Sequence, residues 1–280
     1  MEHESSVPVA KPHPRRILVP REHGAWAMWL VPGVVGAALA PGSDRGLAGG
    51  GYGFSALLVA ATFCLFWARY PLWLWARSRE RAFPAGALPS TLAFGLIAAA
   101  LGLTLTVAYG RWLLLAFGAA GALVMGAHIW LASRGRGRSL AAEFLGIAGL
   151  CLTGPAAYHA ATGALDSKAL VAWLFPALFF GVSVFYVKLR VDGYARVKAK
   201  KPLTPLVASL AGYVALSLAV VGALAALGVA SPWALLAYAP VVAQVAWPIR
   251  GLDTPPKLKR LGVMWAIHST LFAVLLIVLA

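Results

Sequence analysis

Acidic residues are scarce in this chain. Its 280 residues include nine Asp and Glu against 24 Lys and Arg, and charged residues of both signs amount to only 12%. A water-soluble globular domain carries about 25%. Some 61% of the residues are hydrophobic, and the mean hydropathy is +0.79. That much apolar surface cannot be hidden inside a soluble fold of this size, so part of the solvent must be lipid. Cysteine is scarce too: Cys64 and Cys151 both fall in apolar runs, there is no CxxC, and a disulfide framework is excluded. They read as helix-packing residues. The opening stretch, MEHESSVPVAKPHPRRILVP, has no apolar core of signal-peptide type. Residues 1–21 are expected to form a flexible cytoplasmic tail, and residues 22–280 a single transmembrane helical domain.

What is abundant is apolar sequence in helix-length runs. A bilayer core about 30 Å thick takes about 20 helical residues. Nine runs come close to that length: Gly24–Ala40, Phe54–Ala76, Leu88–Tyr109, Trp112–Ser133, Leu140–Thr162, Ala169–Lys188, Leu203–Gly228, Pro232–Ile249 and Leu261–Ala280. Strands of a membrane barrel would be half as long and alternating. The expected fold is therefore all-α, a polytopic membrane bundle of about nine transmembrane helices.

The positive charges test this count independently. Twenty of the 24 basic residues lie in the N-terminal tail or in the connections after the second, fourth, sixth and eighth runs. The other connections hold Arg45, Arg111 and Lys168, one each, and the C-terminus holds none. The positive-inside rule then expects a cytoplasmic N-terminus and an outside C-terminus. The same alternation assigns the net charge of +15 to membrane-facing loops, so nucleic acid is not an expected partner. Gly33, Gly36, Gly118, Gly121, Gly146 and Gly149 recur inside the runs and are expected to let helices approach closely. Pro71, Pro155, Pro176 and Pro240 are expected to kink or break them.

A charge inside the bilayer costs at least about 2.5–3.5 kcal/mol on insertion scales, so each one needs a reason. Arg69 lies about two turns inside the second run and Glu143 one turn inside the fifth. Glu22 and His23 open the first, and Lys188, Arg190 and Asp192 close the sixth. Topology places all of these on the cytoplasmic half, which suggests a cavity open to that side. Plainer roles stand beside this one. Lys188 and Arg190 suit snorkelling to the interface, and Glu22 suits a helix start. Arg69 and Glu143 suit a mutual structural pair. Arg69, Arg77, Lys188 and Arg190 would make a basic pocket if the ends of the second and sixth runs meet, and guanidinium forks suit phosphate or carboxylate. Trp26, Trp29, Trp67, Tyr70, Trp73 and Trp75 gather near the same level, as interfacial aromatic belts do.

Pro20-Arg21-Glu22-His23-Gly24-Ala25-Trp26-Ala27-Met28, followed by Pro32, resembles the opening signature of the YwiC-like family of bacterial membrane proteins. Arg69-Tyr70-Pro71-Leu72 and Val184-Phe185-Tyr186-Val187-Lys188-Leu189-Arg190 resemble its second- and sixth-span motifs. These motifs add Trp26, Tyr70 and Tyr186 to the candidate ligand-binding set of Glu22, His23, Arg69, Arg77, Glu143, Lys188 and Arg190. A more distant similarity is to the UbiA-type intramembrane prenyltransferases, which implies nine helices and a site on the cytoplasmic half. That superfamily holds magnesium on Asp-rich motifs after the second and sixth spans. This sequence has no aspartate at the first place and only Asp192 at the second, and one carboxylate does not hold such a cation. No metal is expected, and the cofactor is open.

Three functions remain in view. The first is binding or modification of an anionic or isoprenoid lipid, with Glu143 or His23 as acid–base groups. The second is a small-solute or proton-coupled transporter. The third is an accessory subunit of a haem or quinone complex, for which His128 and His268 are the candidate axial pair.

Overall fold

A computed structural model describes residues 23–40, 51–77, 87–137, 139–246 and 252–280. Among these the secondary structure is entirely helical. The elements are α1 (His23–Ala38), α2 (Gly51–Arg77), α3 (Leu88–Leu103), α4 (Leu113–Ser133), α5 (Leu140–Cys151), α6 (Thr153–Thr162), α7 (Ser167–Lys198), α8 (Thr204–Ala226), α9 (Ala239–Ala246) and α10 (Leu258–Leu279). A π turn, Thr104–Ala108, prolongs α3, and a 3-10 segment, Pro232–Tyr238, leads into α9. Among the described residues seven stretches are long and apolar enough to cross a bilayer, with α5 and α6 counting as one. The chain is a multi-pass membrane protein.

The two remaining runs are shorter than expected. Ala25–Leu39 and Pro232–Val245 are apolar helices of fewer than 18 residues. The latter begins as 3-10 helix, whose rise of about 2.0 Å per residue stretches it further than α-helix would. The sixth run departs in the other direction. α7 has 32 residues, about 48 Å, so Lys188, Arg190 and Asp192 do not close it; it continues to Lys198. Pro71 and Pro176 sit inside unbroken helices. The fifth run is divided at Leu152, just before Pro155, which has no N–H to return to the Cys151 carbonyl.

The middle of the bundle is α1, α6 and α7. A Cβ on Gly36 would collide with the carbonyl oxygen of Gly154, and one on Gly154 with that of Ala172. Ala172 lies four residues before Pro176, so its carbonyl has no helical N–H to accept, and the Gly154 backbone fits against it. Thr153 Oγ1 donates to the Trp29 carbonyl at 2.8 Å, tying α6 to α1. In lipid such close backbone approach and hydroxyl bonds replace the hydrophobic drive of water.

The two flanks differ. On one, α7, α8, α10 and the 3-10 segment pack around Phe179, which stacks on Phe272 at 4.2 Å and meets Tyr238 and Trp265 edge-on. Tyr238 Oη donates to the Phe175 carbonyl at 2.8 Å, the residue before Pro176. On the other flank, α3 and α4 both lean on α2, α4 leans on α5, and α3 reaches α4 through its π turn. Only 6% of the apolar window of α4 is buried, against 56% of that of α7.

Candidate functional site

The loose flank encloses a cavity of about 730 Å³. From α2, Thr62, Phe66, Arg69 and Trp73 face it, spaced three or four apart on one stripe. From α4 come Gly118, Gly121, Met125 and His128, on the same spacing. α5 contributes Gly146 and Gly149, and Trp29 closes the side toward α1. The wall is overwhelmingly apolar. Its threonines are engaged within the protein: Thr62 with the Leu58 carbonyl and the Trp29 indole, Thr106 with Gly102, Thr153 with Trp29 and Leu150. The guanidinium of Arg69 lies over the Phe66 ring at 5.2 Å. Arg69, Trp73 and His128 lie toward the C-terminal ends of α2 and α4, so the cation and the imidazole share one end of the cavity.

The other expected site residues are placed as follows. Glu143 meets Lys188 rather than Arg69, with Oε2 and Nζ 3.9 Å apart and both side chains about one-third exposed. That is an ion pair, too long for a hydrogen bond, and Glu143 Oε2 and Arg190 Nε are buried without a hydrogen bond. Neither Glu143, Lys188 nor Arg190 lines the Arg69 cavity. α2 and α7 do not pack on each other; α1 packs on both, and α5, which carries Glu143, packs on α7. The single basic pocket joining the ends of α2 and α7 is therefore not formed by the described residues. Tyr186 is buried edge-on against Trp265 at 5.7 Å. Tyr70 stacks on Trp73 at 6.4 Å. Trp26 packs among Phe63, Phe66 and Trp67, and Trp67 stacks on Phe94, so these indoles join α1, α2 and α3. Glu22 lies outside the described residues, as do the side chains of His23 and Arg77.

A family model described as YwiC-like protein matches residues 19–158, half of the chain. The chain belongs to the YwiC-like family. No curated protein and no solved structure matches it. Every residue that lines the large cavity of this YwiC-like chain, from Trp29 to Ala156, falls inside the matched half. The Glu143–Lys188 pair straddles its boundary, and Arg190 lies beyond it.

Sequence reasoning set Gly118 and Gly121 down as close-packing residues, and the fold of the YwiC-like chain corrects this. A Cβ at either would meet nothing within 4 Å, whereas one at Gly149 would press on Val124. In the sequence, His128 is a candidate packed residue, haem ligand or proton-relay group on the cytoplasmic half. It lines the cavity near Gly146, while His268 bonds the Met264 carbonyl of its own helix at 2.8 Å, and α4 and α10 do not pack together. The signal that marks these residues was present: glycines at 118 and 121, then Met125 and His128, repeat along one face of α4. Their partner was not in the sequence pattern, because the facing wall comes from five other helices.

Proposed function

We propose that this protein binds an anionic amphiphile in the cavity enclosed by α2 to α6, with Arg69 holding the head and the apolar walls holding the tail. The observation that carries this reading is Arg69, with His128, at one end of a mainly apolar cavity whose threonines are bonded within the protein. Ligand sites of about 300–1,000 Å³ typically combine apolar lining with a few placed polar groups. A guanidinium offers a planar fork to carboxylate or phosphate. His128 at the same end is the titratable group nearest the head, and it replaces Glu143 and His23 as the acid–base candidate should the bound molecule be modified. Lys188 and Arg190 belong to a separate basic patch.

The charge pattern supports placing the Arg69 end at the cytoplasmic face of a bacterial plasma membrane, with residues 1–21 as a cytoplasmic tail before one membrane domain. The order of nine apolar segments supports distant kinship with the UbiA-type bundle. Arg69 would then take up an anionic head directly, where that superfamily uses magnesium on aspartates.

The test is native mass spectrometry of the protein released from its own membrane. The wild type should retain an anionic amphiphile enriched over bulk lipid, and Arg69→Gln should reduce that enrichment about ten-fold, the loss of one charge-assisted pairing. Retained lipids that mirror the bulk membrane in both proteins would contradict the proposal.

A further inference from the structure

The cavity is long and thin. It follows α2 from Leu58 to Trp73 and α4 from Leu114 to Ile129. Each stretch rises about 22 Å at ~1.5 Å per residue. Spread over that length, 730 Å³ leaves a cross-section of roughly 30 Å². One extended hydrocarbon chain fits along such a channel. The end away from Arg69 is shut by a buried cluster of Leu58, Leu105, Leu114 and Ala156.

The side of the cavity is less closed. α3 and α4 follow one another in the chain, yet apart from the π turn that touches α4 each packs mainly on other helices, α3 on α2 and α4 on α2 and α5. Three glycines line the cavity where they face: Gly102 on α3, Gly118 and Gly121 on α4. A Cβ on any of them would meet nothing within 4 Å. Transmembrane helices associate through van der Waals contact, and an unfilled slot between them forfeits that contact on both walls. Both helices also present bare apolar side chains outward, Leu96 and Leu123 among them. In a bilayer the material at hand to fill the slot is a chain from the surrounding lipid.

We infer that the ligand is a single-chain anionic amphiphile that enters sideways from the bilayer between α3 and α4, with Gly118 and Gly121 as the residues that determine the chain it accepts. This rests on the binding reading above and narrows it. The head, a carboxylate or a phosphate, sits at Arg69 and His128. The chain runs along the glycine face of α4 toward the Leu58–Leu114 plug, which limits its length. A diacyl lipid is held less well because its second chain must stay in the slot between α3 and α4 or outside it in the bilayer.

The experiment titrates delipidated, purified protein with palmitate, hexadecyl phosphate and dioleoyl phosphatidate, and reads bound adducts by native mass spectrometry. Palmitate or hexadecyl phosphate, whichever head is preferred, should bind one to one, and phosphatidate at least about ten-fold more weakly. Gly118→Phe and Gly121→Phe should weaken single-chain binding by about ten-fold or more. Gly126→Phe, on the same helix at a position that is also open but off the cavity, should not. Equal binding of phosphatidate overturns the inference, as does wild-type binding by both cavity-filling variants. If Arg69→Gln still weakens binding in that event, the anionic site survives and only the single-chain claim falls. If Arg69→Gln is also without effect, both fall. Should a phenylalanine variant fail to fold, the comparison of one chain with two on the wild type decides the matter alone.

Discussion

Glycine does two opposite things in this molecule, and the difference lies in what faces each hydrogen. At Gly36 and Gly154 the neighbour is a backbone carbonyl that cannot yield. At Gly118 it is empty space. Alanine at position 36 or 154 should therefore cost about 3 kcal/mol by overpacking. Alanine at position 118 should be neutral or stabilising by up to about 1 kcal/mol, since alanine is the better helix former. Thermal unfolding in detergent measures both, and a Gly118→Ala variant as unstable as Gly36→Ala would mean that α3 and α4 touch. Sequence alone gave these glycines one meaning, because spacing records which residues share a face but not what lies opposite. The same limit applied to the charges. Depth in the run singled out Arg69 and Glu143, whereas the choice of Lys188 as the partner of Glu143 depends on how α5 and α7 are rotated against each other.

At the level of elements, hydropathy located every apolar segment, because a bilayer thickness is a coarse ruler. It misjudged lengths where the helix type or the solvent changes. The segment from Pro232 is partly 3-10, and α7 goes on helically past its last apolar turn. The final ten residues of α7, carrying Arg190, Arg196 and Lys198, extend about 15 Å beyond Lys188. They should stand in water on the side of the positive loops. Lys200 and Lys168, at opposite ends of α7, are both exposed, and the two native cysteines are buried. In intact cells Lys168→Cys should react with a membrane-impermeant maleimide and Lys200→Cys should react only after the membrane is opened. The reverse pattern would invert the proposed orientation.

Over the whole molecule, the striped charge pattern made the membrane bundle legible, because each stripe is a local property of sequence. The division into a tight aromatic flank and a loose one was not legible, because both are written in the same leucines, alanines and phenylalanines. That division is what makes a cavity, and the family-matched half of the chain contains all of its walls. The most direct measurement is an electron cryo-microscopy map of the protein in nanodiscs of its native lipid. It should show one elongated density along Gly118 and Gly121, its wider end against Arg69. A map in which α3 closes onto α4 and side chains fill the space beside Arg69 would contradict it.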